Sequence, residues 1–116
     1  MSLSAERASV LIDATAVQTF VREQAAALIY FGADDCAVCR TLRPQVWALM
    51  AEDFPRIACA YVDARAAPEA AAQMRVLAAP TLSVWFDGHE HYRAARHIAL
   101  GALRDAIARS YRLFFA

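Results

Sequence analysis

Residues 26–39 read AALIYFGADDCAVC, an apolar run that ends shortly before two cysteines. An uninterrupted apolar run of this length is typical of a strand that is covered on both faces of a sheet. If the next residues begin a helix, Cys36 and Cys39 lie at its N-terminus, where free backbone N–H groups and the helix dipole stabilise a thiolate. A thiolate attacks disulfides, but cysteines at this spacing also bind metals. The spacing alone therefore leaves both kinds of site open.

The composition is that of a globular protein. The chain has 116 residues, of which 59% are hydrophobic and 21% charged, and we predict a single domain over residues 1–116. Twelve basic residues, all of them arginine, balance twelve acidic residues, with no block of like charge. This balance gives little support to binding of nucleic acid or of a membrane surface.

Three features favour a cytoplasmic protein. The first residues lack the apolar core of a signal peptide, and no apolar run approaches the length that spans a membrane. The three cysteines do not form an even set of disulfides, as a small secreted protein would have. In a reducing compartment a disulfide is transient and catalytic, which is the state we expect for this cysteine pair.

Apolar periodicity predicts an alternation of strands and helices along the chain. Strands are predicted over residues 10–12, 26–31, 57–62 and 81–86, with a last strand through Ile98. Helices are predicted after a cap at Asp13, after the cysteines as far as Phe54, over residues 66–74, and around Leu103, Ile107 and Tyr111. The order β-α-β-α-β-α-β-β-α predicts an α/β fold with a central mixed sheet and helices on both faces.

Three features of residues 26–103 occur together. The cysteine pair follows a strand, Pro44 comes five residues after Cys39, and residues 79–81, Ala-Pro-Thr, begin a later strand. Together they resemble the thioredoxin family, in which one proline kinks the active-site helix and another follows a cis peptide bond. One cysteine pair is a weak signal, whereas all three features at this spacing are a strong one.

The resemblance implies the thioredoxin fold and a thiol–disulfide oxidoreductase. It implies that Cys36 attacks a substrate disulfide and that Cys39 resolves the mixed disulfide. A cis peptide bond before Pro80 would let the backbone of Ala79 pair with an extended substrate. The implied partners are disulfide-containing proteins and a reductase that donates electrons. The implied redox group is the Cys36–Cys39 disulfide alone, with no further cofactor and no metal.

Several residues near the predicted site depart from the family pattern. Asp35 replaces the family's tryptophan, and we expect Asp35 or Asp34 to cap the helix; alternatively, the Asp35 carboxylate repels the Cys36 thiolate. Tyr30 and Cys59 replace a buried aspartate and its lysine partner, a paired change that leaves no uncompensated buried ion. Without the aspartate, we expect a slower resolving step, or one that uses water or the Tyr30 hydroxyl.

Surface positions leave alternatives open. Arg96 replaces a glycine beside the cis-proline, and it is either a solvated side chain or a contact that favours acidic substrates. His89 and His91 flank a hairpin turn at the far end of the sheet, which argues against a zinc site shared with the cysteines. The tail Leu113-Phe114-Phe115 is expected to fold back on the domain, with a partner-binding or dimer patch as the alternative.

Two other functions stay open. The chain could be a thioredoxin-like adapter that binds partners around Pro80 and Arg96 and has weak redox activity, because a fold does not fix a function. A dimer that shares two cysteine pairs could bind a metal ion or an iron–sulfur cluster. Reduction of insulin separates the first alternative from an oxidoreductase, and metal analysis tests the second.

Overall fold

The computed structural model describes residues 8–116, which form five strands and four helices. The strands are β1 (Ser9–Val10), β2 (Ala26–Gly32), β3 (Ala58–Asp63), β4 (Thr81–Phe86) and β5 (His89–Ala95). The helices are α1 (Ala14–Glu23), α2 (Ala37–Asp53), α3 (Pro68–Gln73) and α4 (Leu100–Phe114). The predicted order of elements is confirmed.

The strands form one mixed sheet in the order β1-β3-β2-β4-β5. Strands β1, β3 and β2 run parallel, since helices connect them, whereas β4 is antiparallel to both β2 and β5. The turn between β4 and β5 consists of Asp87 and Gly88, with φ angles of 54° and 76°. Two residues in the left-handed region are typical of a tight hairpin turn. The predicted mixed sheet is confirmed.

Both faces of the sheet are covered, which explains the uninterrupted apolar run in β2. Leu28 and Tyr30 face one core cluster together with α2 and α4, whereas Ile29 and Phe31 face a second cluster together with α1 and α3. Every residue of β2 is buried. An alternating polar pattern would place polar groups against one of these helical layers, so the apolar run fits a central strand.

Helix α1 begins as its sequence predicts. The Asp13 side chain accepts a hydrogen bond from the backbone N–H of Ala16 at 2.8 Å and so caps the helix. Helix α2 ends at Asp53 and contains Pro44, which supplies no N–H to the helical ladder. None of the helices within residues 8–116 is long and apolar enough to cross a lipid bilayer.

The end of β5 differs from its prediction. The sequence predicts a strand through Ile98, but the strand ends at Ala95. The physical reason lies at Arg96, which adopts a φ of 66° and donates its backbone N–H to the Pro80 carbonyl at 2.8 Å. A left-handed residue turns the chain out of the strand direction.

The C-terminal tail folds back on the domain, as expected. It continues α4, and the Phe114 ring lies 5.5 Å from the Phe86 ring. The Phe115 ring lies 4.9 Å from that of Tyr111, and the Arg56 guanidinium carbon lies 4.2 Å from the centre of the Phe115 ring.

Candidate active site

Strand register brings three loops to one edge of the sheet. Phe31 near the end of β2 pairs with Thr81 at the start of β4, and Thr81 pairs with Ala95 at the end of β5. The cysteine pair follows β2, Pro80 precedes β4 and Arg96 follows β5. These predicted site residues therefore lie at the same edge. The β4–β5 turn lies at the opposite one.

The Cys36 sulfur caps helix α2. Its Sγ atom accepts a hydrogen bond from the backbone N–H of Cys39 at 3.1 Å. The two sulfurs are joined in a disulfide across a Cα–Cα distance of 5.2 Å. Cys36 is half-buried, whereas Cys39 is only 3% exposed. In the reduced protein, the same N–H and the helix dipole would stabilise a Cys36 thiolate that substrate can reach.

The prediction that Asp34 or Asp35 caps α2 is wrong, because Cys36 occupies the capping position. The Asp35 carboxylate instead forms an ion pair with the Arg65 guanidinium at 3.0 Å. The Asp34 carbonyl accepts a hydrogen bond from the Arg40 guanidinium. Asp35 therefore does not compete with the sulfur for the helix N–H groups, and its negative charge is partly compensated.

Arg65 is a residue that the sequence interpretation missed. It follows β3 by two residues, and the ends of β2 and β3 meet through the pair Gly32 and Asp63. Since β2 and β3 are parallel, both strands end at the active-site edge. That rule could have identified Arg65 as a neighbour of the cysteine loop.

Tyr30 holds the backbone of the second cysteine. Its hydroxyl donates a hydrogen bond to the Cys39 carbonyl at 2.9 Å, and its ring is fully buried. Burial raises the pKa of Tyr30 to about 12, although the nearby Arg43 charge lowers it. The hydroxyl therefore stays protonated at neutral pH and contacts the carbonyl of Cys39, which makes it a positioning group in this disulfide state.

Cys59 is a thiol that the fold keeps protonated. Its sulfur lies 3.8 Å from the Ile57 carbonyl as a weak donor, and burial raises the pKa of Cys59 to about 12. Its partner in β2 is Leu28, whereas Tyr30 pairs with Tyr61. The Tyr30 and Tyr61 rings are stacked with centroids 6.1 Å apart. Tyr61 is therefore the neighbour of Tyr30 within the site.

Gly32 leaves room for these two tyrosines. A Cβ atom at this position would lie 3.1 Å from the Cε1 atom of Tyr30 and 3.1 Å from that of Tyr61. Any larger residue would force one of the rings to move.

Hydrogen bonds hold the loop before β4 on two sides. The Ala79–Pro80 peptide bond is cis. The Pro80 carbonyl accepts the Arg96 N–H, and the Thr81 hydroxyl donates to the Ala78 carbonyl at 2.6 Å. The Arg96 side chain is exposed, and its φ of 66° is one that glycine adopts more readily. Arg96 therefore occupies a left-handed position that an arginine rarely adopts.

Two apolar side chains near this edge are exposed. Val38, between the cysteines, is 57% exposed, and Leu77, in the loop that leads to Pro80, is 94% exposed. Leu77 is not among the site residues predicted from the sequence.

The described residues offer no ready metal site. Within residues 8–116, no three His, Cys, Asp or Glu side chains are grouped so that they could hold an ion. His89 and His91 are exposed beside the β4–β5 turn, and the His91 ring contacts Phe86 edge-on at 5.3 Å.

Comparison with known proteins agrees with this geometry. The family model described as thioredoxin matches residues 8–109. The chain belongs to the thioredoxin family. It is 29% identical over 98 residues to Thioredoxin-like protein YdfQ of Bacillus subtilis, which covers 84% of this chain and 87% of that protein. The resemblance inferred from the sequence is confirmed.

Solved thioredoxin structures share the fold. Fasciola hepatica thioredoxin superimposes with a TM-score of 0.78 at 33% identity, over 87% of this chain and 97% of the other. Mitochondrial thioredoxin 3 of Saccharomyces cerevisiae, in its oxidised form, gives a TM-score of 0.81 at 22% identity, over 91% and 98%. The second likeness shows the fold alone. At the level of the family, a thioredoxin domain with this cysteine pair is a thiol–disulfide oxidoreductase that acts on disulfide-containing substrates.

Proposed function

We propose that the protein reduces or exchanges disulfides of other proteins through a dithiol–disulfide cycle of Cys36 and Cys39. The observation that carries this proposal is the Cys36 sulfur at the start of α2, where it accepts the Cys39 N–H and is bonded to the Cys39 sulfur. The half-buried sulfur attacks, and the buried one resolves.

The cycle transfers two electrons and two protons to the substrate. The Cys36 thiolate attacks one sulfur of a substrate disulfide; a mixed disulfide forms, and the other substrate sulfur leaves as a thiolate. The Cys39 thiolate then attacks Cys36, which forms the Cys36–Cys39 disulfide and releases the second substrate thiolate. Both released thiolates take protons from solvent or from the protein.

Regeneration requires an electron donor. A reductase or a dithiol returns two electrons to the Cys36–Cys39 disulfide, and we propose that the cycle uses no organic cofactor and no metal. A reducing compartment such as the cytoplasm suits this chemistry, because a catalytic disulfide is formed there only transiently.

Substrate is proposed to bind at the loop before β4. An extended segment would pair with the backbone of Ala79, which precedes Pro80 at the active-site edge. The exposed side chains of Val38 and Leu77 provide apolar contact, and the exposed Arg96 provides a positive charge. Pro44 serves the same site indirectly, as a helix-kinking residue in α2.

Insulin reduction by the full chain, with dithiothreitol as electron donor, tests the proposal. The wild type should accelerate precipitation of the insulin B chain, and Cys36→Ser should abolish the acceleration. Cys59→Ala, which also removes a thiol, should leave it unchanged. If the wild type is no faster than Cys36→Ser, the protein is not an oxidoreductase, and the adapter function becomes the better proposal.

The Cys39→Ser variant identifies the partners. It can form the mixed disulfide at Cys36 but cannot resolve it, so partners should accumulate as covalent complexes that dithiothreitol releases. A Cys36→Ser, Cys39→Ser double variant is the control, because it should trap nothing.

A further inference from the structure

A groove of about 510 Å³ lies beside the first turns of α2. Its wall includes two cationic, one cyclic and two aromatic side chains: Arg40, Arg43, Pro44, Trp47 and Tyr61. Val10 of β1, 68% exposed, also lines it. None of the residues proposed above for substrate contact belongs to this wall. The groove is therefore separate from the proposed substrate contacts.

The positive charge of the groove is not compensated by a carboxylate in its wall. The two ion pairs within residues 8–116 involve Arg65 and Arg93, so neither Arg40 nor Arg43 has an acidic partner there. No acidic residue lines the groove, although the Asp34 and Asp63 carboxylates lie near enough to Tyr61 to raise its pKa. A ligand that fits this wall should carry negative charge.

The geometry of Arg43 suits recognition of a carboxylate. Its guanidinium carbon lies 4.1 Å from the centre of the Tyr61 ring, and the side chain is half-buried. A cation–π contact of this kind uses no N–H donor, so the guanidinium can still form a bidentate bond with a carboxylate. Arg40 is held by its hydrogen bond to the Asp34 carbonyl. Both charges are therefore restrained before a ligand binds.

The rest of the wall is apolar. Pro44, Val10 and the Tyr61 ring give the groove apolar surface that a small hydrated anion would not use, whereas Trp47 lines the groove but is only 4% exposed. A polypeptide segment that alternates carboxylate and aliphatic side chains would satisfy the cationic and the apolar parts together. Charge complementarity and this mixed wall favour such a segment over a free anion.

We infer that this groove binds an acidic segment of the protein that exchanges electrons with the Cys36–Cys39 pair. Arg40 directly follows Cys39 in the chain, and Tyr61 stacks on Tyr30, which holds the Cys39 carbonyl. A segment in the groove would lie against the active-site helix. The identity of the partner as a redox protein depends on the proposed function, but the binding of an acidic segment does not.

Binding of a model peptide to the full chain tests the inference. The probe is a fluorescein-labelled, cysteine-free peptide of sequence Glu-Leu-Glu-Leu-Glu, and its control replaces each Glu by Gln. Fluorescence anisotropy should show affinity at least about tenfold higher for the acidic peptide, with a loss of binding as salt increases. The NMR signal of the Trp47 indole N–H should shift on binding.

Paired variants locate the site. Arg40→Gln with Arg43→Gln should reduce the affinity for the acidic peptide about tenfold or more. The matched control replaces two exposed arginines on α4, Arg104→Gln with Arg109→Gln. This variant should retain the affinity for the acidic peptide. Urea unfolding checks that both double variants are folded. Cys36→Ser should bind the peptide as the wild type does, so failure of the redox function and failure of this inference are separate results.

Four results would overturn the inference. They are equal affinity for the Glu and Gln peptides, full binding by the Arg40→Gln, Arg43→Gln variant, displacement of the peptide by equimolar citrate, and self-association that the same variant abolishes. The third would indicate a site for small anions. The fourth, measured by analytical ultracentrifugation, would indicate a second copy of the chain as the occupant.

Discussion

Asp35 lies one position before Cys36, whose sulfur caps α2, and it forms an ion pair with Arg65. Both side chains are exposed, Asp35 by 59% and Arg65 by 73%. Asp35→Asn removes a negative charge beside Cys36, so the pH midpoint of Cys36 alkylation in the reduced protein should fall by about 0.2–0.5 units. Arg65→Gln leaves the carboxylate uncompensated, so the midpoint should rise by a similar amount. Two exposed charges interact by roughly 0.2–1 kcal/mol, and about 1.4 kcal/mol shifts the midpoint by one pH unit.

Iodoacetamide alkylation followed by mass spectrometry measures this midpoint. Glu52→Gln, an exposed acid near the other end of α2, is the control and should leave it unchanged. Shifts of the same sign in Asp35→Asn and Arg65→Gln would contradict the role of the pair.

Cys59 should make the protein less stable at alkaline pH. Burial raises the pKa of Cys59 from 9.0 to about 12, so the folded state holds the proton more tightly than the unfolded state. The contribution of the protonated Cys59 thiol to the unfolding free energy is fully present below pH 9 and is lost as the pH rises towards 12. Tyr30 acts in the same direction above pH 10, since burial raises its pKa to about 12.

Urea unfolding of the oxidised protein between pH 8 and 11 measures this effect. Cys59→Ala should flatten the decline of the unfolding free energy between pH 9 and 10, where Tyr30 contributes little. The same slope in the variant and the wild type would show that Cys59 does not titrate as its burial requires.

At the scale of elements, the local sequence pattern predicted helix α2 but not the group that caps it. The apolar residues Leu42, Val46 and Met50 repeat at helical spacing, a property of a short segment, and they do face the core. The identity of the cap depends on a contact between distant segments. Asp35 pairs with Arg65, thirty positions away in the sequence, and the sulfur takes the capping position.

The end of β5 could not be predicted from its sequence for a related reason. Residues 89–98 carry no proline or glycine that would interrupt a strand. The strand ends where the Arg96 backbone N–H donates a hydrogen bond to the Pro80 carbonyl, which belongs to another loop. The left-handed φ of Arg96 accompanies this hydrogen bond between loops, and arginine itself has no preference for that conformation.

Arg96→Gly should therefore stabilise the protein. An L-residue in the left-handed region costs roughly 1–2 kcal/mol, whereas the added freedom of glycine in the unfolded chain costs about 0.5–1 kcal/mol. We expect the unfolding free energy to rise by about 0.5–1 kcal/mol, measured by urea denaturation. Arg96→Ala removes the same charge but keeps the left-handed strain, so this variant should be no more stable than the wild type. Equal effects of the two changes would exclude the backbone as the cause.

At the scale of the whole molecule, the alternation of apolar runs predicted the architecture, because each run reports how many faces of its element are covered. The central position of β2 is an example. The groove beside α2 was not predicted, since it requires Arg43 of the helix to lie on Tyr61 of β3. That contact exists only once the sheet and the helix have packed together.

The C-terminal turn of α4 closes the core at the edge opposite the cysteines. Phe114 is 40% exposed and covers Phe86, which is 2% exposed, and Phe115 is half-buried against Tyr111. Deletion of residues 113–116 should lower the unfolding free energy by about 2–3 kcal/mol, because two phenylalanines each lose part of the roughly 1.5–3 kcal/mol that full burial provides.

Urea denaturation and sedimentation together decide whether this turn stabilises the domain or joins two copies. Leu113→Ser is the control, since that side chain is 70% exposed and its loss should change stability by less than about 0.5 kcal/mol. The packing of Phe114 and Phe115 on their own domain predicts a lower unfolding midpoint in the deletion variant at an unchanged sedimentation coefficient. An unchanged midpoint with a slower-sedimenting species would instead assign the two rings to a contact between chains.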